Sequence, residues 1–162
     1  MKIADLKPIL LPTKIQQVDS HLYKGTAIFS PVKALRVKSR GVSQVIDLRH
    51  ENGIFVRGFR KLEKLYCKLL NIDYVEKSFY KNNNEQLPNM DYFDGLIRQI
   101  DVIDLTYIHC HFGKHRTGFA VAMYQKDKGV PKDTITRQLL DYDWKTKKQR
   151  YNLKTFLRDF IG

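Results

Sequence analysis

Leu105-Thr106-Tyr107-Ile108-His109-Cys110-His111-Phe112-Gly113-Lys114-His115-Arg116-Thr117-Gly118 is the stretch on which the fold turns. Residues 105–109 form a short β-rich run, and the segment after Arg116 is helical in pattern up to Gly129. The run and the helix are therefore joined by one short loop, a strand–loop–helix unit. Outward from it the chain alternates in the same way. Ser30-Pro31 reads as a helix start, with Ser as N-cap and Pro at the first helical position, and Gly41 as its stop. Residues 42–48 form an apolar run that reads as a buried strand, and 51–58 is loop-like. Phe59, Leu62, Leu65, Tyr66, Leu69 and Leu70 recur at helical spacing, and 72–79 is a strand candidate. Residues 81–90, rich in Asn and containing Pro88, read as a loop. A helix follows through Phe93, Leu96, Ile97, Ile100 and Ile103, and two more are expected near 131–144 and 149–160. Strands alternating with helices predict an α/β fold, three-layered, with a mostly parallel sheet of about four strands covered on both faces.

Composition bounds the alternatives. The chain has 162 residues, the size of one domain, with residues 1–17 an N-terminal extension or first strand. A hydrophobic content of 43%, with nine Tyr and nine Phe, supplies a core and argues against disorder. Two cysteines, Cys67 and Cys110, exclude a disulfide-built scaffold. No apolar run approaches the ~20 residues of a membrane-spanning helix. The opening Met1-Lys2 leads into no signal-peptide pattern, so a cytoplasmic location is expected. Lys and Arg number 29 against 17 Asp and Glu, and the net charge of +12 points to an anionic partner.

The loop specifies which anion. Cys110 and Arg116 are separated by five residues with Gly113 between them. Backbone N–H groups in a tight, glycine-permitted bend make a nest for a phosphate, and the following helix N-terminus adds positive potential. Arg116 can fork its guanidinium onto two phosphate oxygens, which Lys cannot do. The same potential activates Cys110: an ordinary cysteine is only about 3% thiolate at neutral pH, and an electropositive helix N-terminus raises that fraction steeply. Attack on phosphorus would give a cysteinyl-phosphate, which water then releases. Thr117 can support the departing thiolate, and His109 can orient the loop. From average composition, the pattern of His, Cys, Gly, Arg, Thr and Gly at these spacings has odds of roughly one in a million.

At these residues the sequence resembles the cysteine-dependent protein tyrosine and dual-specificity phosphatases, whose signature is His-Cys-x5-Arg-Ser/Thr-Gly. The spelling from Gly113 to Gly118 is similar to the atypical dual-specificity enzymes, above all the plant and fungal subgroup that includes inositol-pyrophosphate phosphatases. His21-Leu22-Tyr23-Lys24-Gly25, Val45 to Arg49, and Asp141-Tyr142 with Lys148-x-Arg150 resemble further family segments. The resemblance implies a parallel-sheet phosphatase fold, no metal or other cofactor, and phosphate-monoester or phosphoanhydride substrates. Phosphorylated proteins and small anionic phosphates are the implied partners; a monomer is expected, and the sequence leaves the oligomeric state open.

The family's general acid is a carboxylate on the loop before the helix that precedes the catalytic strand. Here that is residues 81–94, where Glu85 takes the place of the subgroup's Lys-Glu-Pro element although Asn84 and Gln86 flank it. Asp91 reads as a helix cap, Asp94 as an exposed helical residue, and Asp47 as a further carboxylate at a strand end. His111, Phe112, Gly113, Lys114, His115 and Gly118 are candidate substrate-binding positions on the loop. Lys148 and Arg150 are candidates from the basic C-terminal cluster. Cys67 reads as a core thiol, with a redox partnership to Cys110 the alternative. Tyr142 and Trp144 read as packing residues. Two rival readings remain open. One is an RNA 5′-triphosphatase, for which no stacking series of basic and aromatic residues is present. The other is a phosphate-binding module without turnover, which intact Cys110, Arg116 and Thr117 argue against.

Overall fold

The computed structural model describes residues 14–50, 54–80, 86–103 and 105–162. Five strands form one sheet: β1 (Ile15–Gln17), β2 (Leu22–Gly25), β3 (Gln44–Asp47), β4 (Asp73–Glu76) and β5 (Thr106–His109). Their order is β1-β2-β5-β3-β4, with β1 antiparallel to β2 and every other pair parallel. The sequence predicts about four strands, and three of its ranges, 42–48, 72–79 and 105–109, hold β3, β4 and β5. β1 is a three-residue edge strand at the end of the 1–17 segment read as an N-terminal extension or first strand, and β2 falls in the 21–25 segment that resembles the family.

Among the described residues, six α-helices cover the sheet. On one side lie α1 (Pro31–Lys38) and α2 (Ile54–Leu69). Their core unites Ala34, Val37 and Cys67 with Val45 and Tyr107 of the sheet. On the other side α3 (Met90–Asp101), α4 (His115–Asp127), α5 (Lys132–Leu140) and α6 (Lys147–Phe156) bury the larger core, including Phe93, Ile97, Phe119, Leu139 and Phe156. A short π-helical turn, Leu157–Ile161, continues α6. All side chains of β3 and β5 are buried, as expected of central parallel strands.

Local signals hold at most ends. The Ser30 hydroxyl accepts the Lys33 N–H, and Pro31 opens α1. Gly41 adopts φ +85°, the left-handed conformation that ends the segment. Two expectations change. Helix α2 begins at Ile54, inside the stretch read as loop, because Gly58 is tolerated on its exposed side. Asn89, not Asp91, caps α3: its side chain accepts the Tyr92 N–H, and Asp91 sits in the first turn, where a negative charge suits the helix dipole.

Register brings the chemistry to one end. His109 is level with Gly25 on β2 and with Asp47 on β3. Three loops therefore leave the sheet side by side at the carboxyl ends of β2, β3 and β5, where ligands bind in open α/β sheets.

Candidate active site

Cys110 follows the last residue of β5, is 4% exposed, and is unpaired with any other cysteine. The chain then turns through His111–Lys114 into α4, so the first N–H groups of that helix point into the loop. Gly113 has φ +66°, and a Cβ there would overlap the Gly25 carbonyl and come 2.9 Å from the Thr26 nitrogen. Glycine is thus required twice over, by conformation and by the close approach of the β2–α1 loop. That loop is tied to the catalytic one by the Ala27 N–H, which donates to the His111 carbonyl at 3.2 Å.

Burial by itself would push the Cys110 thiol up. The Arg116 charge, the Thr117 hydroxyl, and the backbone N–H groups of Thr117 and Gly113 outweigh it and hold the thiol below the usual cysteine range. Cys67, by contrast, lies in the core beneath α2 and is pushed up to about 12 by burial and then by Glu63. The two cysteines belong to different core clusters, Cys110 to the larger and Cys67 to the smaller, and their chemistry differs accordingly.

Behind the loop lies a buried polar network that sequence reading misses. Its centre is Glu63 on α2. One carboxylate oxygen accepts the Ile28 N–H at 2.8 Å and lies 2.9 Å from His109 Nε2; the other meets the Arg49 guanidinium. His109 Nδ1 in turn donates to the Cys110 carbonyl at 2.9 Å. Asp47 takes Arg49 at 2.8 and 2.9 Å, Arg60 at 2.9 Å and the Tyr74 hydroxyl at 2.8 Å. Burial would raise the Asp47 carboxyl, but His109 and Arg49 hold it well below the ordinary carboxylate range. Asp47 is therefore a fixed anion that anchors Arg49 and Arg60, not a proton donor. Glu63 is held low in the same way, by His109 and Arg49 against its burial. Lys33, under the β2–α1 loop, donates to the Thr26 and Ala27 carbonyls, and burial brings it down to about 7 against the attraction of Glu63. The only sequence hint of Glu63 is a lone acid among apolar and basic residues of a helix.

The remaining predicted positions fall on both flanks. His111 packs edge-on against Phe29 (centroids 5.2 Å) and Phe112 (4.5 Å), and Phe112 stays 49% exposed on the rim. Lys114 is exposed at the N-cap of α4. The His115 ring stacks on Trp144 at 4.4 Å and its Nε2 is 2.8 Å from the Asp143 carbonyl, so this side chain braces the α5–α6 loop. Arg150 braces it too, donating to the Trp144 and Lys145 carbonyls at 3.1 and 2.9 Å. Lys148 is exposed in the first turn of α6. Gly118 lets the Tyr142 ring approach α4, where a Cβ would sit 2.7 Å from it. Tyr142 and Trp144 are half-buried against the larger core. Glu85 lies outside the described residues. Among the described residues, no group of three His, Cys, Asp or Glu side chains is placed to hold a metal ion.

A family model for the tyrosine phosphatase family matches residues 26–156, from the β2–α1 loop to the end of α6. The chain belongs to the tyrosine phosphatase family. No curated protein matches its sequence. Among solved structures, the core catalytic domain of the PP-IP phosphatase Siw14 from S. cerevisiae is similar at 15% identity with TM-score 0.63, over 93% of this chain and 90% of that one. TpbA of P. aeruginosa is similar at 14% identity with TM-score 0.66, over 91% and 90%. So is a putative phosphatase from Shewanella putrefaciens, at 17% identity with TM-score 0.68, over 98% and 96%. At such identities these neighbours show the fold, an α/β architecture of the phosphatase type with a mostly parallel sheet.

Proposed function

We propose that this phosphatase hydrolyses phosphate monoesters or phosphoanhydrides through a cysteinyl-phosphate at Cys110. The observation that carries the reading is the Cys110 thiol, held below its usual range at the mouth of a loop whose N–H groups and Arg116 face it. A phosphate seated there meets the backbone N–H groups on one side and the Arg116 fork on the other. The Cys110 thiolate attacks phosphorus, the S–P bond forms, and the bond to the leaving oxygen breaks. That oxygen takes a proton from a general acid, for which Glu85 is the candidate, or leaves as an already acidic phosphate. Water then attacks the cysteinyl-phosphate, inorganic phosphate departs, and the Thr117 hydroxyl steadies the returning thiolate.

The substrates proposed are phosphotyrosine-type or inositol-phosphate and phosphoinositide-type molecules. Lys114 is the residue offered to a second phosphate, with His111 and Phe112 on the rim beside it. His115 and Arg150 brace the 141–146 loop, and His115, Lys148 and Arg150 are offered as further contacts to the substrate's phosphates. Similar folds support both classes: TpbA has been solved with phosphotyrosine, and Siw14 is a PP-IP phosphatase. The test is hydrolysis of p-nitrophenyl phosphate with EDTA present. Wild type turns over, Cys110→Ser does not, and full activity in that variant overturns the mechanism. A panel of phosphotyrosine peptides, phosphoinositides, inositol pyrophosphates and triphosphate-ended RNA, ranked by kcat/KM, then assigns the substrate class.

A further inference from the structure

The helical layer formed by α1 and α2 carries apolar side chains on its outside. Val32 and Leu35 of α1, with Phe55, Leu62, Leu65 and Leu69 of α2, are between 45% and 73% exposed. These six are more than half of the eleven large hydrophobic side chains that are exposed among the described residues. On α2 they recur at spacings of seven, three and four, which makes a single stripe along the helix. The core-facing side of α2 is held by other residues: Glu63 and Cys67 are buried, and Phe59 and Tyr66 half-buried. The apolar periodicity that identifies α2 as a helix thus points partly outward, and packing among the described residues does not account for it.

The exposed charges that α1 and α2 themselves carry have one sign, and Glu76 of β4 pairs with Lys64 and Arg60 of α2. The only acid in α1 and α2 is Glu63, which is buried in the network behind Cys110. Exposed Arg36, Arg57, Lys61 and Lys68 stand beside the apolar residues. A second copy of the chain would set these cations against each other. A nucleic acid would use the cations and leave the leucines in water. A surface that is both anionic and apolar beneath its charges suits both features, and an anionic lipid leaflet has that chemistry.

We propose that the outward face of α1 and α2 is a peripheral docking surface for an anionic lipid bilayer. Leu62, Leu65 and Leu69 enter the headgroup boundary, and Arg57, Lys61 and Lys68 bind lipid phosphates. The inference is independent of which phosphate the enzyme cleaves. It is tested by sedimentation of the full chain carrying Cys110→Ser, which prevents hydrolysis from altering the vesicles. Vesicles of phosphatidylcholine alone are compared with vesicles that also contain phosphatidylserine. The chain is expected on the phosphatidylserine vesicles only. The pairs Leu62→Gln with Leu69→Gln, and Lys61→Gln with Lys68→Gln, are each expected to lower the bound fraction's partition coefficient about ten-fold. Introduced into the Cys110 enzyme, both pairs should leave melting temperature and p-nitrophenyl phosphate turnover in solution unchanged. Absence of vesicle binding overturns the proposal. So does a loss caused by the lysine pair but not by the leucine pair, which reduces the effect to general basicity. A dimer in sedimentation velocity that the leucine pair dissolves assigns the stripe to a second copy instead. Tighter binding of an acidic amphipathic peptide than of the vesicles assigns it to a protein partner.

Discussion

Cys110 is a buried thiol that its neighbours make easier, not harder, to ionise. Since the thiolate is the attacking form, kcat/KM should rise with pH through the thiol's own titration, and that limb should lie below the ~8.5 of an ordinary cysteine. Thr117→Ala removes one of the groups that stabilise the thiolate, so the limb should move to higher pH; iodoacetamide alkylation against pH reads the same shift without substrate. Arg116 adds a second residue-scale prediction. Arg116→Lys keeps the charge and loses the fork, and kcat should fall by roughly 100-fold or more with the melting temperature little changed. An enzyme that tolerated the lysine would show that the guanidinium holds no phosphate. These residues are legible in the sequence because the loop is local: six residue choices within the ten positions 109–118 describe it. Asp47 is not legible in that way. At a strand end it reads as a carboxylate available for proton transfer, and only the guanidinium groups of Arg49 and Arg60 against it show that it stays ionised.

At the scale of elements, the β2–α1 loop, β3, α2 and β5 meet at Glu63. Removing that carboxylate leaves Arg49 with Asp47 and Tyr74 but strips His109 and the Ile28 N–H of their common acceptor. Glu63→Ala should cost about 3–5 kcal/mol in urea unfolding, the cost of breaking a buried pair, and should lower activity in the molecules that remain folded. A cost below about 1 kcal/mol would mean that the network relaxes around the gap. Gly113→Ala tests the contact between the two loops. Left-handed φ and the nearby Gly25 carbonyl leave no room for a methyl group, so turnover should drop while far-ultraviolet circular dichroism stays that of the wild type. The helices themselves follow from capping and periodicity, as at Ser30-Pro31 and in the reciprocal Thr146–Gln149 capping box of α6. The start of α2 does not, because Gly58 is neutral evidence until its exposure is known.

At the scale of the whole molecule, the chain carries a net charge of +12, which suits the phosphate substrates proposed for it. Long-range attraction of this kind is screened within about 8 Å at physiological ionic strength. For a substrate with several phosphates, kcat/KM should therefore fall steeply as salt is added, and for p-nitrophenyl phosphate, which carries a single phosphate, much less. Equal salt slopes would confine the useful charge to Arg116 and the loop. The sequence by itself determined the alternation of strands and helices and the Cys110–Gly118 loop that resembles the family signature. Each of these rests on neighbours within a few residues, where periodicity, capping and loop spacing act. Tertiary structure decided the rest: β1 as a fifth strand, Glu63 beneath the catalytic loop, Asp47 as a fixed anion, and which side of α2 faces the sheet. Those depend on residues such as Glu63 and His109, 46 positions apart in the chain yet 2.9 Å apart in the fold. Burial and pairing at that separation are set by which elements pack together, and no local pattern records them.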